Sequence, residues 1–242
     1  EYFRRFLSSP DFMNYLMNTL KLSIYGLLWG FPVPIILALL MNRIQKTGIK
    51  KKVQLLIYMP NFISVIVLCG MVRMLLSPVG PLNRLLGIST NWMTMPSAFR
   101  TIYIASGIWQ TAGWASIMYT AALSNASKEL EEAAVMDGAT KWQQTKHITM
   151  PCIKPVLIMM LILDAGKIFY SDFGLFYQVP MNSGALINAT NTIDTYVYRG
   201  LIELGDISMS SAACVYQSLM GFALVMIANW LTKRYSSENA LF

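Results

Sequence analysis

Five stretches of this chain, residues 17–41, 55–76, 101–123, 155–175 and 211–231, are apolar over long, nearly uninterrupted runs. A bilayer core about 30 Å thick is crossed by roughly 20 helical residues, and each run reaches that length. Inside lipid the backbone must satisfy its own N–H and C=O groups, so runs of this length are read as helices. The connectors leave no room for a separate soluble domain. Composition agrees: of 242 residues, 55% are hydrophobic and 13% charged, with a mean hydropathy of +0.47. The predicted fold class is an all-α integral membrane protein.

A net charge of +7 raises nucleic acid as a partner, and the placement of the charges argues against it. Arg43, Lys46, Lys50, Lys51 and Lys52 fill connector 42–54 without an acid, and Lys233 and Arg234 follow the last run. Excess Lys and Arg marks cytoplasmic loops, which puts both segments inside. Alternation then places connector 124–154, with Lys128, Lys141, Lys146 and Lys154, inside, and connector 172–210 outside. Residues 1–16 become an extracytoplasmic lead-in, 17–231 the transmembrane domain and 232–242 a cytoplasmic tail. The amino terminus falls outside with no signal peptide before Asp11, so a further transmembrane helix is expected ahead of residue 1. Cys69, Cys152 and Cys214 lack metal or disulfide spacing and read as buried thiols. His147 is the only histidine, which argues against a multi-histidine metal centre.

Several residues interrupt the apolar runs. Gly26 and Gly30 make a small-xxx-small pair suited to close helix approach, and Pro32 and Pro34 are expected to bend or locally unwind the first run. The second run passes Pro60 and Asn61 and carries Arg73 near its outer end, where it can snorkel. Trp109 lies in the third run. Asp164 and Lys167, at i and i+3, are expected to share one face of the fourth helix as an ion pair.

Connector 124–151 is too long for a turn and too charged for lipid. It reads as two short helices. Ser127 is placed to cap the first, with Glu129 near its amino-terminal dipole, and Gly138 to end it. Thr140 and Gln143 have capping-box spacing for the second, which Pro151 is expected to stop. Leu130, Ala133, Ala134 and Asp137 share a face of the first helix, a shallow knob that a partner's groove can approach closely. The alternative, a helix resting on lipid headgroups, is opposed by Glu129, Glu131, Glu132 and Asp137, which an anionic inner leaflet repels.

The order Glu132-Ala133-Ala134, three residues, Gly138, nine residues, Ile148, one residue, Met150-Pro151 resembles the EAA loop of binding-protein-dependent ABC importer permeases. Met150 stands where the family pattern has leucine, a swap of similar volume. The resemblance extends over nearly the whole chain. Residues 3–12 with Asn18-Thr19-Leu20 are similar to the segment after the first helix of oligosaccharide permeases. Residues 172–180, 193–199 and the ending Ala240-Leu241-Phe242 are similar to the complex-carbohydrate branch.

The resemblance implies a type I ABC importer permease fold, a six-helix unit of which five transmembrane helices are present here. It implies that Glu132, Ala133, Ala134, Asp137, Gly138, Ile148 and Pro151 couple the chain to an ATPase dimer that binds ATP and Mg, with no cofactor on this chain. The sequence itself has no phosphate-cradling G-x-x-x-x-G-K-[ST] loop. The other partners implied are a second permease subunit, an extracytoplasmic sugar-binding lipoprotein and the bilayer of a bacterial plasma membrane, with no nucleic acid. The cargo implied is a sugar or oligosaccharide, with a peptide or amino acid as the alternative. Carbohydrate sites combine aromatic faces with hydrogen-bonding groups, and Trp109, Asp164, Lys167 and Tyr170 are the candidate pathway set. Two other classes stay open: an intramembrane enzyme using Ser106 or Ser116, and an ion-coupled carrier using Asp164 and Lys167.

Overall fold

Prolines, glycines and buried amides decide which apolar runs form one helix and which are broken. A computed structural model describes residues 2–124, 128–171, 173–179, 186–235, 238 and 240. After a short helix α1 (Tyr2–Leu7), the first run forms α2 (Phe12–Gly30) and α3 (Pro32–Asn42). The joint, Phe31, keeps helical φ −68° and ψ −43°, and its N–H still reaches the Leu27 carbonyl. Pro32 and Pro34 therefore remove donors without unwinding the chain, because the first turn of a helix has no partner for those N–H groups.

The second run is broken. It comprises α4 (Thr47–Tyr58), a 3₁₀ turn at Met59–Phe62 and α5 (Val65–Leu76). Pro60 removes a donor, and Ser64 restarts the helix by accepting from the Val67 N–H at 3.4 Å. Gln110 Nε2 donates to the Ile63 carbonyl at 2.9 Å, satisfying backbone at the break. Helix α6 (Pro81–Leu86) ends on Gly87 at φ +65°.

Helix α7 (Pro96–Leu123) is central, packing on α2, α3, α4 and the later α10. It buries Phe99, Tyr103, Gln110, Ala112, Gly113, Ser116, Tyr119 and Leu123. A Cβ on Gly113 would lie 1.8 Å from the Ile57 carbonyl oxygen, so α4 and α7 touch backbone to backbone. Among the described residues four stretches are long and apolar enough to cross a membrane: Phe12–Asn42, Val65–Leu86, Lys141–Ala165 and Ile207–Arg234, with mean hydropathies of 1.7 to 2.1. Helix α7 is not among them. Its 28 residues suffice in length, and its packing on α2, α3, α4 and α10 covers polar side chains such as Gln110 and Ser116 that bare lipid would not allow.

The connector holds α8 (Lys128–Met136) and α9 (Lys141–Gln144), then a π turn at Thr145–Thr149 leading into α10 (Met150–Ala165). Beyond lie α11 (Phe173–Gln178), α12 (Ile187–Thr190), α13 (Ile193–Ile202) and α14 (Ile207–Tyr235). The fourth run does not stay helical to residue 175. After Ala165 the ladder tightens to i→i−3 bonds, Lys167 to Asp164, Ile168 to Ala165 and Tyr170 to Lys167. Gly166 and Gly221 bring α10 and α14 together there: a Cβ on Gly166 would meet Val225 Cγ2 at 2.5 Å, and one on Gly221 the Gly166 oxygen at 2.7 Å. These glycines, with Gly113, mark the close approaches. Gly26 and Gly30 do not; a Cβ on Gly26 meets nothing within 4 Å.

Among the described residues three buried clusters hold the bundle. Leu22, Leu68, Phe99, Tyr103 and Leu186 form one, and Ile35, Ala38, Tyr119, Leu123 and Ile153 a second. The third, Phe6, Ile193, Met209 and Ala213, fastens α1 and α13 over the start of α14. Elsewhere large apolar side chains such as Leu28, Ile66 and Phe222 are exposed, as a surface facing lipid or other membrane helices requires. Of the three cysteines only Cys69 is buried; Cys214 is exposed.

Candidate functional site

The connector builds the coupling candidate from local chemistry. Helix α8 ends on Gly138 at φ +77°, with the Gly138 N–H on the Val135 carbonyl and the Ala139 N–H on the Ala134 carbonyl. That left-handed residue is where a helix stops most easily on glycine. The Thr140 capping box is formed: the Gln143 N–H reaches Thr140 Oγ1 at 3.3 Å, and the Thr140 N–H reaches Gln143 Oε1 at 2.7 Å. Ser127 lies outside the described residues.

Pro151 does not stop the second helix. The chain widens through the π turn and continues as α10, with Pro151 in its opening turn. The widened turn gives room where the proline ring would crowd the carbonyl four residues back. Glu132, Ala133, Asp137 and Gly138 are exposed, while Ala134 and Ile148 are half-buried. Leu130, Met136 and Trp142 stand 59%, 87% and 74% exposed on this charged loop. Between the two helices Ala134, Asp137, Gly138, Gln143, His147 and Ile148 line a hollow of about 330 Å³.

A side chain that sequence reasoning assigned only a topological charge fastens this loop to the bundle. Arg43, just past α3, donates from its guanidinium to the Lys141 carbonyl at 2.8 Å, to Gln144 Oε1 at 3.3 Å and to Thr145 Oγ1. Gln144 is buried and donates onward to the Ala139 carbonyl at 2.9 Å. The joint between α8 and α9 is thus tied to the first span. Nothing local signals this, because the partners lie 98 to 102 residues apart.

A second region is a cavity of about 500 Å³ lined by residues of α2, α3, α7 and α10 and by the turn after α10. Asp164, Lys167 and Tyr170 face it, as do Tyr103, Tyr119 and Ser171. Trp109 does not line it; half exposed on α7, it points elsewhere. Asp164 and Lys167 pair at 3.1 Å, but Lys167 lies beyond the end of α10 and its side chain is 73% exposed. Gly26 and Gly30 line the same cavity, so their missing side chains widen it.

At the end of the cavity where Ser171 lies, a polar knot joins connector and bundle. Asp194 accepts from the Ser171 N–H and hydroxyl, both at 2.7 Å, and from Gln217 Nε2 at 3.2 Å. Asn18 donates to the Asn188 and Asn191 carbonyls, and the Ile193 N–H donates to Thr19 Oγ1. Helix α13, capped by Thr192, is thereby fixed to α2 and α14. Burial raises the Tyr196 phenol on this helix above its ordinary value; Asp206 adds to the rise and Arg5 opposes it. Asp172 and Pro180 lie outside the described residues.

The nucleophiles of the enzyme reading are otherwise engaged. Ser106 donates to carbonyls of Ile102 and Tyr103, and Ser116 to that of Gly113, each within its own helix.

Residues 30–236 match the family model described as binding-protein-dependent transport system inner membrane component. The polygalacturonan/rhamnogalacturonan transport system permease protein YteP of Bacillus subtilis is 39% identical, the match covering 98% of this chain and 75% of the relative. Protein LplB of Bacillus subtilis is 35% identical over 98% of this chain and 76% of its own. A crystal structure of a bacterial ABC transporter involved in the import of the acidic polysaccharide alginate superimposes with a TM-score of 0.91 at 34% identity, over 97% of this chain and 83% of that one. A bacterial alginate transporter in complex with an alginate pentasaccharide-bound periplasmic protein gives 0.92 at 34%, over 98% and 83%. The chain therefore belongs to the family of binding-protein-dependent transport system inner membrane components: it is a multi-pass ABC importer permease, and not an enzyme.

Proposed function

We propose that this permease carries an oligosaccharide handed over by an extracytoplasmic binding protein. In this reading it works beside a second permease subunit and is driven by a separate ATPase dimer that holds ATP and Mg. The cargo class is supported by the saccharide transporters among its relatives. Glu132, Ala133, Ala134, Asp137, Gly138, Ile148 and Pro151 form or support the ATPase-facing element, and the cavity at Asp164, Lys167 and Tyr170 is the path. The connector and residues 232–242 are cytoplasmic and residues 1–16 extracytoplasmic in this reading, which the basic residues of the inner connectors support.

One observation carries the coupling role: an exposed, apolar-tipped helix pair is tied by Arg43 to the first span, two glycines of which, Gly26 and Gly30, line the cavity. A push on α8 therefore has a mechanical route to the cavity. ATP binding on the ATPase pair would move this element and rock the helices between outward and inward openings. The test is the assembled transporter in proteoliposomes, with uptake and ATP hydrolysis followed together. Replacing Gly138 by valine forces a β-branched residue to φ +77° and is expected to leave ATP hydrolysis running while uptake falls. Undiminished uptake per ATP would refute the role.

A further inference from the structure

A groove of about 460 Å³, separate in its lining from the cavity at Asp164, runs between α2 and α7. Ser97, Arg100 and Thr101 line one end, and Tyr25, Trp29, Ile104 and Ile108 the rest. The two helices run the same way along it: Arg100 donates to Asn18 Oδ1 at 3.4 Å at the polar end, and a Cβ on Gly30 would sit 3.7 Å from Ile108 Cγ1 at the apolar end. Eight residues of α7 and twelve of α2 separate those levels, roughly 12 to 18 Å of helix at 1.5 Å per residue. That is about one leaflet, half of a hydrocarbon core about 30 Å thick. Arg100 lies one turn from the start of α7, at the depth of a headgroup.

The arginine's charge is poorly met. Its Nε is buried without a partner, the Asn18 contact is a single long bond to a neutral oxygen, and among the described residues no carboxylate lies within 4.0 Å. A guanidinium at the edge of the hydrocarbon calls for an anion, and one with paired oxygens suits its fork. Apart from the Tyr25 phenol the rest of the groove is apolar, and Trp29 is 61% exposed there. We propose that this groove is a binding site for an anionic phospholipid, its phosphate on Arg100 beside the hydroxyls of Ser97 and Thr101, and one acyl chain along Ile104, Ile108 and Trp29. The polarity of the groove runs in the order of a lipid from head to tail.

The test uses the complete transporter in phosphatidylcholine nanodiscs doped equally with phosphatidylglycerol or phosphatidylethanolamine, with retained lipid counted by native mass spectrometry. Phosphatidylglycerol should be retained preferentially, and Arg100→Gln should lower its retention about tenfold, the scale of one charge-assisted contact. Ile104→Trp, which fills the apolar half, should lower it with the arginine in place, and inorganic phosphate should not displace the lipid. Equal retention of both lipids, or retention unchanged in Arg100→Gln, overturns the proposal. Should Ile104→Trp fail to assemble, a photoactivatable phosphatidylglycerol on the unaltered protein must label α2 or α7; labelling confined to other helices also overturns it. So does efficient crosslinking of the Thr101→Cys variant to the second permease subunit, which would make the groove a protein interface.

Discussion

At the scale of single residues, the signals that could be read in advance were the ones whose partners lie within a helical turn. Thr140 and Gln143 form their box, and Gly138 takes the left-handed conformation that ends α8. Arg43 is the opposite case, a contact made by folding and invisible to spacing rules. Arg43→Ala should loosen α9 from the first span while leaving the exposed face of α8 intact. The expected result is at least a several-fold fall in sugar transported per ATP, with ATPase binding retained, measured by uptake and hydrolysis on the same proteoliposomes. Arg43→Lys, which cannot spread over the same three acceptors, should recover only part. In the cavity, Lys167→Ala removes one member of an exposed pair, worth less than about 1 kcal/mol. Stability should hold while the substrate concentration for half-maximal uptake shifts, and an unchanged uptake curve would remove Lys167 from the path.

At the scale of elements, the apolar runs located the helices but not their interruptions or ends. The second run breaks at Pro60, and Gln110 from another helix mends the exposed carbonyl. The fourth closes near Gly166, where α14 presses against it. Pro151 was legible as a perturbation but its outcome was not, because a chain can absorb a proline by widening one turn as well as by stopping. The glycines give the clearest contrast. Gly26 and Gly30 have the spacing of a packing motif and widen a cavity, whereas Gly113, without any motif, lets α7 touch α4. Gly113→Val should therefore destabilise the assembled protein by about 2 kcal/mol or more, since backbone rather than a side chain must yield. Gly26→Ala should be nearly silent in stability. Melting temperatures of the two purified variants compare them directly.

At the scale of the whole molecule, the family was carried by one charged connector and confirmed across residues 30–236. The cavity was legible only in part: Asp164, Lys167 and Tyr170 gather there, and Trp109 does not. Amino-acid type cannot tell which way a tryptophan turns on a helix with neighbours on several sides. Uptake by the complete assembly is expected to require ATP and the binding protein, and to persist when proton and sodium gradients are collapsed. Loss of uptake on collapsing the gradients, with ATP still supplied, would instead favour the ion-coupled reading.

The central position of α7 also bears on how the protein is made. Ribosome-coupled insertion releases a segment sideways into lipid according to its own apolarity, and a helix with Arg100, Gln110 and a file of hydroxyls scores poorly alone. Its buried polar groups, Gln110 and Ser116, become acceptable once α2, α3 and α4 have arrived to pack against it. Those helices are synthesised first. Chain order thus makes the early spans a nursery for the later one, and a fusion that offers α7 without them should be passed through the membrane rather than held in it.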